Sequence, residues 1–263
     1  MSGKSKNKPV IAVIAAVFAV LATLSVVLYY LPAFAYFKDD AADRIFSEAI
    51  IRACVAGFLI ALCFYSGERD TLSAKTAGKK SVLAVAPCFL VAIVNFPIFA
   101  LATGGAKITR TDLIWLVAVN CVLIAVVEEV FFRGILQNYF AERLKDKKHS
   151  IILTVLITSA AFAAWHLVNL FTGAGVGQTL LQVVYTFLVG AMLSFIVIES
   201  KNIWLCVAVH AIFDLGGAIP TIGTGNFQDT AFWIMTVSVG VAVGAYVTFS
   251  LWRKSKCEMR NYE

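Results

Sequence analysis

Glu128-Glu129-Val130-Phe131-Phe132-Arg133 places three ionisable side chains within six positions of an otherwise apolar stretch long enough to cross a bilayer. A charge in the middle of such a span costs roughly 2.5–3.5 kcal/mol to insert, so an intramembrane carboxylate pair is read first as a functional site. Two other apolar stretches carry one histidine each, Phe162-Ala163-Ala164-Trp165-His166 and His210-Ala211-Ile212-Phe213-Asp214, and these are two of only three histidines in the chain. Paired carboxylates and buried neutral imidazoles are acid–base equipment, able to take a proton from one group and hand it to another. Asp214 has three open roles: orienting His210, hydrogen-bonding a substrate, or binding a metal.

Helical spacing separates the two glutamates. Glu129, Arg133 and Gln137 are four apart and form one stripe, with the glutamate N-terminal to the arginine in the favoured order for an ion pair. Such a buried pair neutralises itself and ties helices together, a structural role. Glu128 points about 100° away from that stripe and is left for a different partner, which fits a general base. Ser159, Phe162, His166 and Asn169 fall on one face of their helix, and His210 and Asp214 are one turn apart. Phe162 and Trp165 read as packing residues. Cys54, Cys63, Cys88, Cys121 and Cys206 lie within apolar stretches and Cys257 near the C-terminus; none forms a Cys-x-x-Cys pair, so small apolar packing is expected rather than disulfides or a thiolate metal site.

The elements that must position these groups are membrane helices. Of 263 residues, 60% are hydrophobic and 14% charged, and the mean hydropathy is +0.84, far from the roughly one-quarter charged composition of soluble domains. The expected fold is all-α, a polytopic transmembrane bundle of about eight spans at 9–32, 46–65, 81–102, 112–140, 151–171, 177–199, 203–219 and 229–252. Residues 1–252 form a single integral-membrane domain with its chemical region at about 112–217, and 253–263 a cytoplasmic tail. The net charge of +6 does not indicate nucleic acid, because the basic residues alternate between short loops. Lys4, Lys6 and Lys8 precede the first span, and clusters at Lys75–Lys80, Arg143–Lys148 and Arg253–Arg260 follow later ones, which by the positive-inside rule puts both termini in the cytoplasm. Ala33-Phe34-Ala35 resembles a signal-peptidase site, but the preceding apolar run is too long for a secretory leader and is taken as a retained helix. Arg52, near the outer end of the second span, is expected to snorkel.

Taken in order, Glu128-Glu129 with Arg133, Phe162 with His166, and His210 with Asp214 resemble the motifs Glu-Glu-x-x-x-Arg, Phe-x-x-x-His and His-x-x-x-Asn/Asp of the CAAX-protease and bacteriocin-processing (CPBP, Abi) family of intramembrane glutamic endopeptidases. The resemblance covers about residues 112–217. It implies a type II CAAX prenyl endopeptidase-like bundle with a conical cavity, in which Glu128 and His166 activate a water while His210 and Asp214 stabilise the oxyanion. Glu129, Arg133, Phe162 and Asn169 are then supporting residues. The family's last motif position is commonly Asn, an amide donor, whereas Asp214 donates only when protonated.

What this implies is an enzyme without a cofactor that hydrolyses a membrane-associated peptide or protein, in a multi-pass protein of a bacterial plasma membrane, with no nucleic-acid partner. Three other readings compete. A zinc peptidase would use His166, His210 and a carboxylate as ligands, although no His-Glu-x-x-His is present. A proton-coupled transporter would use the same groups as a relay, although no internal repeat is visible. A membrane immunity or scaffold protein would keep the groups without using them.

Overall fold

A computed structural model describes residues 8–31, 34–65, 68–76 and 78–260. Lys4, Lys6 and Ala33 therefore lie outside the described residues. The helices are α1 (Lys8–Tyr30), α2 (Asp40–Tyr65), α3 (Lys79–Val94), the short α4 (Ile98–Ala102), α5 (Ile114–Glu129), α6 (Gln137–Leu144), α7 (Ser150–Trp165), α8 (Val176–Ser200), α9 (Ile203–Ala218) and α10 (Thr230–Arg260). Among the described residues six helical stretches are long and apolar enough to cross a membrane: 40–65, 111–144, 150–172, 176–200, 203–222 and 230–258. The helical, polytopic character expected from composition is therefore found, with six such stretches among the described residues against the eight expected.

The third expected span, 81–102, is two pieces rather than one helix. Asn95-Phe96-Pro97 separates α3 from α4, because proline disfavours helical backbone at the residue before it and offers no amide hydrogen of its own. The first helix, α1, runs over the 23 residues Lys8–Tyr30, close to the first expected span. Two further departures are small. A two-stranded antiparallel ribbon pairs β1 (Ala106–Ile108) with β2 (Gly223–Gly225), and α10 runs on through Arg260 into the segment expected as a tail.

Apolar clusters hold the bundle, among them the following three. Val85, Cys88, Leu193, Ile196, Val209 and Val243 join α3, α8, α9 and α10. Leu59, Phe131, Phe132, Phe162 and Ile203 pack together beside the site, and Leu113, Leu116, Ile219, Ile222 and Phe227 close the end near the ribbon. Outside the spans, Asp39 accepts the Ala42 amide at the start of α2 and pairs with Arg110 at 3.0 Å. The amide and the guanidinium hold its carboxyl below the usual range. Arg52 bonds Glu48 at 2.8 Å and Asn120 at 2.5 Å, a polar clamp between α2 and α5.

The break at Asn95–Pro97 has a use. The Asn95 side-chain amide donates to the Phe213 carbonyl at 2.7 Å, so the interrupted helix grips α9 one residue from Asp214. The grip needs a bare backbone at Gly216, where an added Cβ would stand 2.8 Å from the Asn95 carbonyl oxygen and 2.9 Å from its carbon. Backbone cannot yield as a flexible side chain does, so Gly216→Ala should destabilise the protein by about 1–3 kcal/mol. The neighbouring Gly217→Ala meets only ordinary contact at 3.5 Å and should melt like the parent when both are compared in detergent.

Candidate active site

Both helices that carry the chemistry change their winding where they carry it. After Glu129 the backbone runs as a π-helix over Val130–Leu136 before resuming as α6, and after Trp165 it tightens to a 3₁₀-helix over His166–Thr172. A π-turn inserts a residue and widens the helix, a device concentrated at functional sites. Here it buries six successive residues, Glu129 through Gly134, which an ordinary amphipathic helix exposes in part.

Glu129 is wholly buried and fully engaged. Its Oε1 accepts from Arg133 Nη1 at 3.0 Å and from His210 Nδ1 at 2.7 Å, and its Oε2 accepts from Cys206 Sγ at 2.8 Å. The expected ion pair with Arg133 is present, but the carboxylate also holds the imidazole of another helix. The Arg133 guanidinium donates in addition to the Gly190 carbonyl at 3.1 Å and lies 4.4 Å from the Phe162 ring centre. Gly190 permits this, because a Cβ there would come within 3.2 Å of Phe162 and Ser159. Gln137, the third member of the expected stripe, is buried but stays out of the cluster: its Oε1 has no partner among the described residues. The π-turn explains this, since it breaks the four-residue spacing from which the stripe was read.

Glu128 faces elsewhere, as its 100° offset requires. Its Oε1 accepts from the Trp165 indole at 3.2 Å, and its Oε2 stands 3.7 Å from His210 Nε2. Asp214 Oδ2 is 3.5 Å from the same nitrogen. His210 thus spends Nδ1–H on Glu129 and presents Nε2 to two carboxylates. A bare lone pair facing two negative groups is repulsive, so a proton lies within that triangle, on Nε2 or on one of the acids. Access separates the acids: 13% of the Glu128 side chain and 24% of Asp214 are exposed, against none of Glu129. Only the first two are open to a reacting molecule.

His166 sits where α7 becomes 3₁₀. Its backbone amide bonds Ala163 and Ala164 instead of the Phe162 carbonyl, and that carbonyl accepts from His166 Nδ1 at 2.9 Å. A carbonyl only accepts, so Nδ1 carries the hydrogen and Nε2 of the neutral ring keeps a lone pair. The Phe162 ring lies edge-on to both imidazoles, with centroids 5.0 Å from His166 and 5.8 Å from His210. Asn169 donates to Gln182 at 2.7 Å. Ser159, expected on the same face, is buried with its hydroxyl unpartnered among the described residues.

Two residues were read as packing and are more than that. Trp165 holds the outer carboxylate through its indole N–H while its ring packs on Phe18 of α1, and Cys206 is a donor to Glu129. The signal for Cys206 was present, since it lies one turn before His210; a tryptophan beside a histidine gives no such clue. Among the described residues no group of three His, Cys, Asp or Glu side chains is arranged to hold a metal ion.

Six apolar helical stretches around a cluster of buried ionisable side chains define a multi-pass membrane protein. Residues 110–216 match the family model described as Type II CAAX prenyl endopeptidase Rce1-like, the family to which the three motifs pointed, and this stretch contains Glu128, Glu129, Arg133, His166, His210 and Asp214. It is a family of peptidases. No curated protein and no solved structure matches the chain.

Two substitutions probe this geometry. Arg133→Ala leaves Glu129 buried with less compensation, which should cost about 3–5 kcal/mol and appear as a lower melting temperature in detergent. Trp165→Phe keeps the ring against Phe18 but removes a hydrogen bond to a charged group. Its melting should barely change while any Glu128-dependent turnover falls roughly ten- to hundredfold in kcat/KM.

Proposed function

We propose that the protein is an intramembrane endopeptidase in which Glu128 is the general base. The observation that carries this reading is the division of labour between adjacent glutamates: Glu129 is sealed behind Arg133, His210 and Cys206, while Glu128 is accessible and held by a neutral donor. In the proposed reaction a water lies between Glu128 and His166. Glu128 takes one proton, His166 Nε2 accepts a hydrogen bond from the O–H that remains, and the hydroxide attacks the scissile carbonyl carbon. His210 and Asp214, sharing a proton, supply the donor that meets the developing oxyanion. That shared proton answers the difficulty raised by an aspartate where the family commonly has an amide. Glu128 then returns its proton to the departing amine, which closes the balance.

The substrate in this reading is a membrane-associated peptide or protein, processed in CAAX fashion or as a leader or bacteriocin-type precursor. The setting is a bacterial plasma membrane with both termini cytoplasmic, as the alternation of basic loops indicates. Hydrolysis needs no metal, because a carboxylate and an imidazole suffice to activate the water.

The test uses Glu128→Gln, which keeps the shape and removes basicity. The peptides of cells carrying the variant are compared with those of cells carrying the parent chain, and the purified proteins are assayed on a quenched prenylated CAAX peptide and on the peptides that differ. Turnover should fall at least about 10²-fold, with activity unchanged after a strong chelator. Near-normal turnover in a folded variant rejects Glu128 as base; stoichiometric zinc with chelator-sensitive, zinc-restored activity makes the protein a metallopeptidase. Ion flux that depends on Glu128 without any cleavage makes it a transporter.

A further inference from the structure

Peptide hydrolysis requires more than a water and an acid: the substrate main chain must be held extended beside them. The helical segments that carry Glu128, His166 and Asp214 offer no sheet edge for this, so beside them side chains must supply donors and acceptors spaced like those of a peptide group. The wall next to His166 carries such a pair. Within the 3₁₀-helix, side chains three apart eclipse one another, so the tightening after Trp165 sets Asn169 directly in line with His166, which the roughly 60° offset of an α-helix does not. At about 2 Å of rise per residue Asn169 lies roughly 6 Å further along, a distance of about two residues of extended peptide.

Asn169 does not use up its capacity there. Its amide nitrogen donates to Gln182 Oε1 at 2.7 Å, which fixes the orientation of both amides and leaves Asn169 Oδ1 as an acceptor and Gln182 Nε2 as a donor. Tyr185, three residues on along α8, falls on the same face of that helix as Gln182. The Tyr185 ring packs on Phe213, next to Asp214, at 6.4 Å. Asn169 and Gln182 are half-buried and Tyr185 is 39% exposed. Two amides facing hydrocarbon with unused groups are costly; facing a peptide they are matched.

We propose that the Asn169–Gln182 amide pair is the subsite that binds the main chain of an extended peptide substrate, one to two residues from the bond that is cut, with Tyr185 closing the wall toward Asp214. The proposal rests on the peptidase reading. It adds that affinity comes from the substrate's backbone and is therefore tolerant of side-chain identity at that position. A different role, tying the 3₁₀ segment to α8, would also use the Asn169–Gln182 bond, so the test must read the substrate.

The probe is a quenched prenylated CAAX peptide, together with analogues in which an ester oxygen replaces one backbone N–H at successive positions on either side of the cleaved bond. Binding is measured by fluorescence polarisation on the Glu128→Gln chain and turnover on the parent. At one position the ester should weaken binding roughly three- to tenfold, the worth of one neutral hydrogen bond, raising KM with kcat little changed. In Asn169→Leu, which removes the acceptor, that ester should no longer matter, and in Gln182→Leu, which removes the donor, the peptide itself should bind more weakly. Esters handled like the parent peptide at every position overturn the proposal, as does an ester effect that persists in Asn169→Leu. Discrimination of the ester in binding without cleavage would keep the subsite and overturn the peptidase reading instead.

Discussion

The carboxylate of Glu129 is the constraint on which the rest of the site depends. A charge with no exposed surface inside a membrane bundle is tolerated only where its surroundings supply compensation on every side. Here the compensation comes from three places: Arg133 on the following turn, His210 and Cys206 on α9. Each donor fixes the element that carries it. Arg133 passes the constraint on to α8 through the Gly190 carbonyl and to α7 through the Phe162 ring. The orientation of His210, and through it the placement of Glu128 and Asp214 around one nitrogen, follows from satisfying a residue that itself meets no substrate.

Irregular backbone is the means by which three helices deliver their side chains to one point. Regular helices present side chains at fixed angular steps, and a cluster drawn from several of them needs adjustment. The π-turn widens α5 behind Glu129 and sinks Arg133 into the bundle. The 3₁₀ turn frees the Phe162 carbonyl for the His166 ring. The interruption at Asn95–Pro97 turns a would-be span into a grip on α9. At the 3₁₀ turn the hydrogen bond lost by the Phe162 carbonyl is replaced by one from the His166 ring.

Three acids meet at one imidazole in this arrangement: Glu129 at Nδ1, and Glu128 and Asp214 at Nε2. Such convergence is suited to holding one water and one developing charge, as hydrolysis of an acyl bond demands.

The sequence by itself determined the membrane class, the helical build, the four groups Glu128, His166, His210 and Asp214 as a set, and the pairing of Glu129 with Arg133. These follow from quantities that a linear chain carries: hydropathy over a span, the cost of buried charge, and the angular step of an α-helix. Tertiary structure decided the rest. That Glu129 also holds His210, that Trp165 and Cys206 are donors rather than packing, and that Arg52 pairs with Glu48 and Asn120 are contacts between helices, and no spacing within one helix encodes them. The loss of Gln137 from its stripe and the division of the third span have the same origin. Periodicity assumes regular winding, and winding was irregular at the places where packing and chemistry required a side chain to point elsewhere.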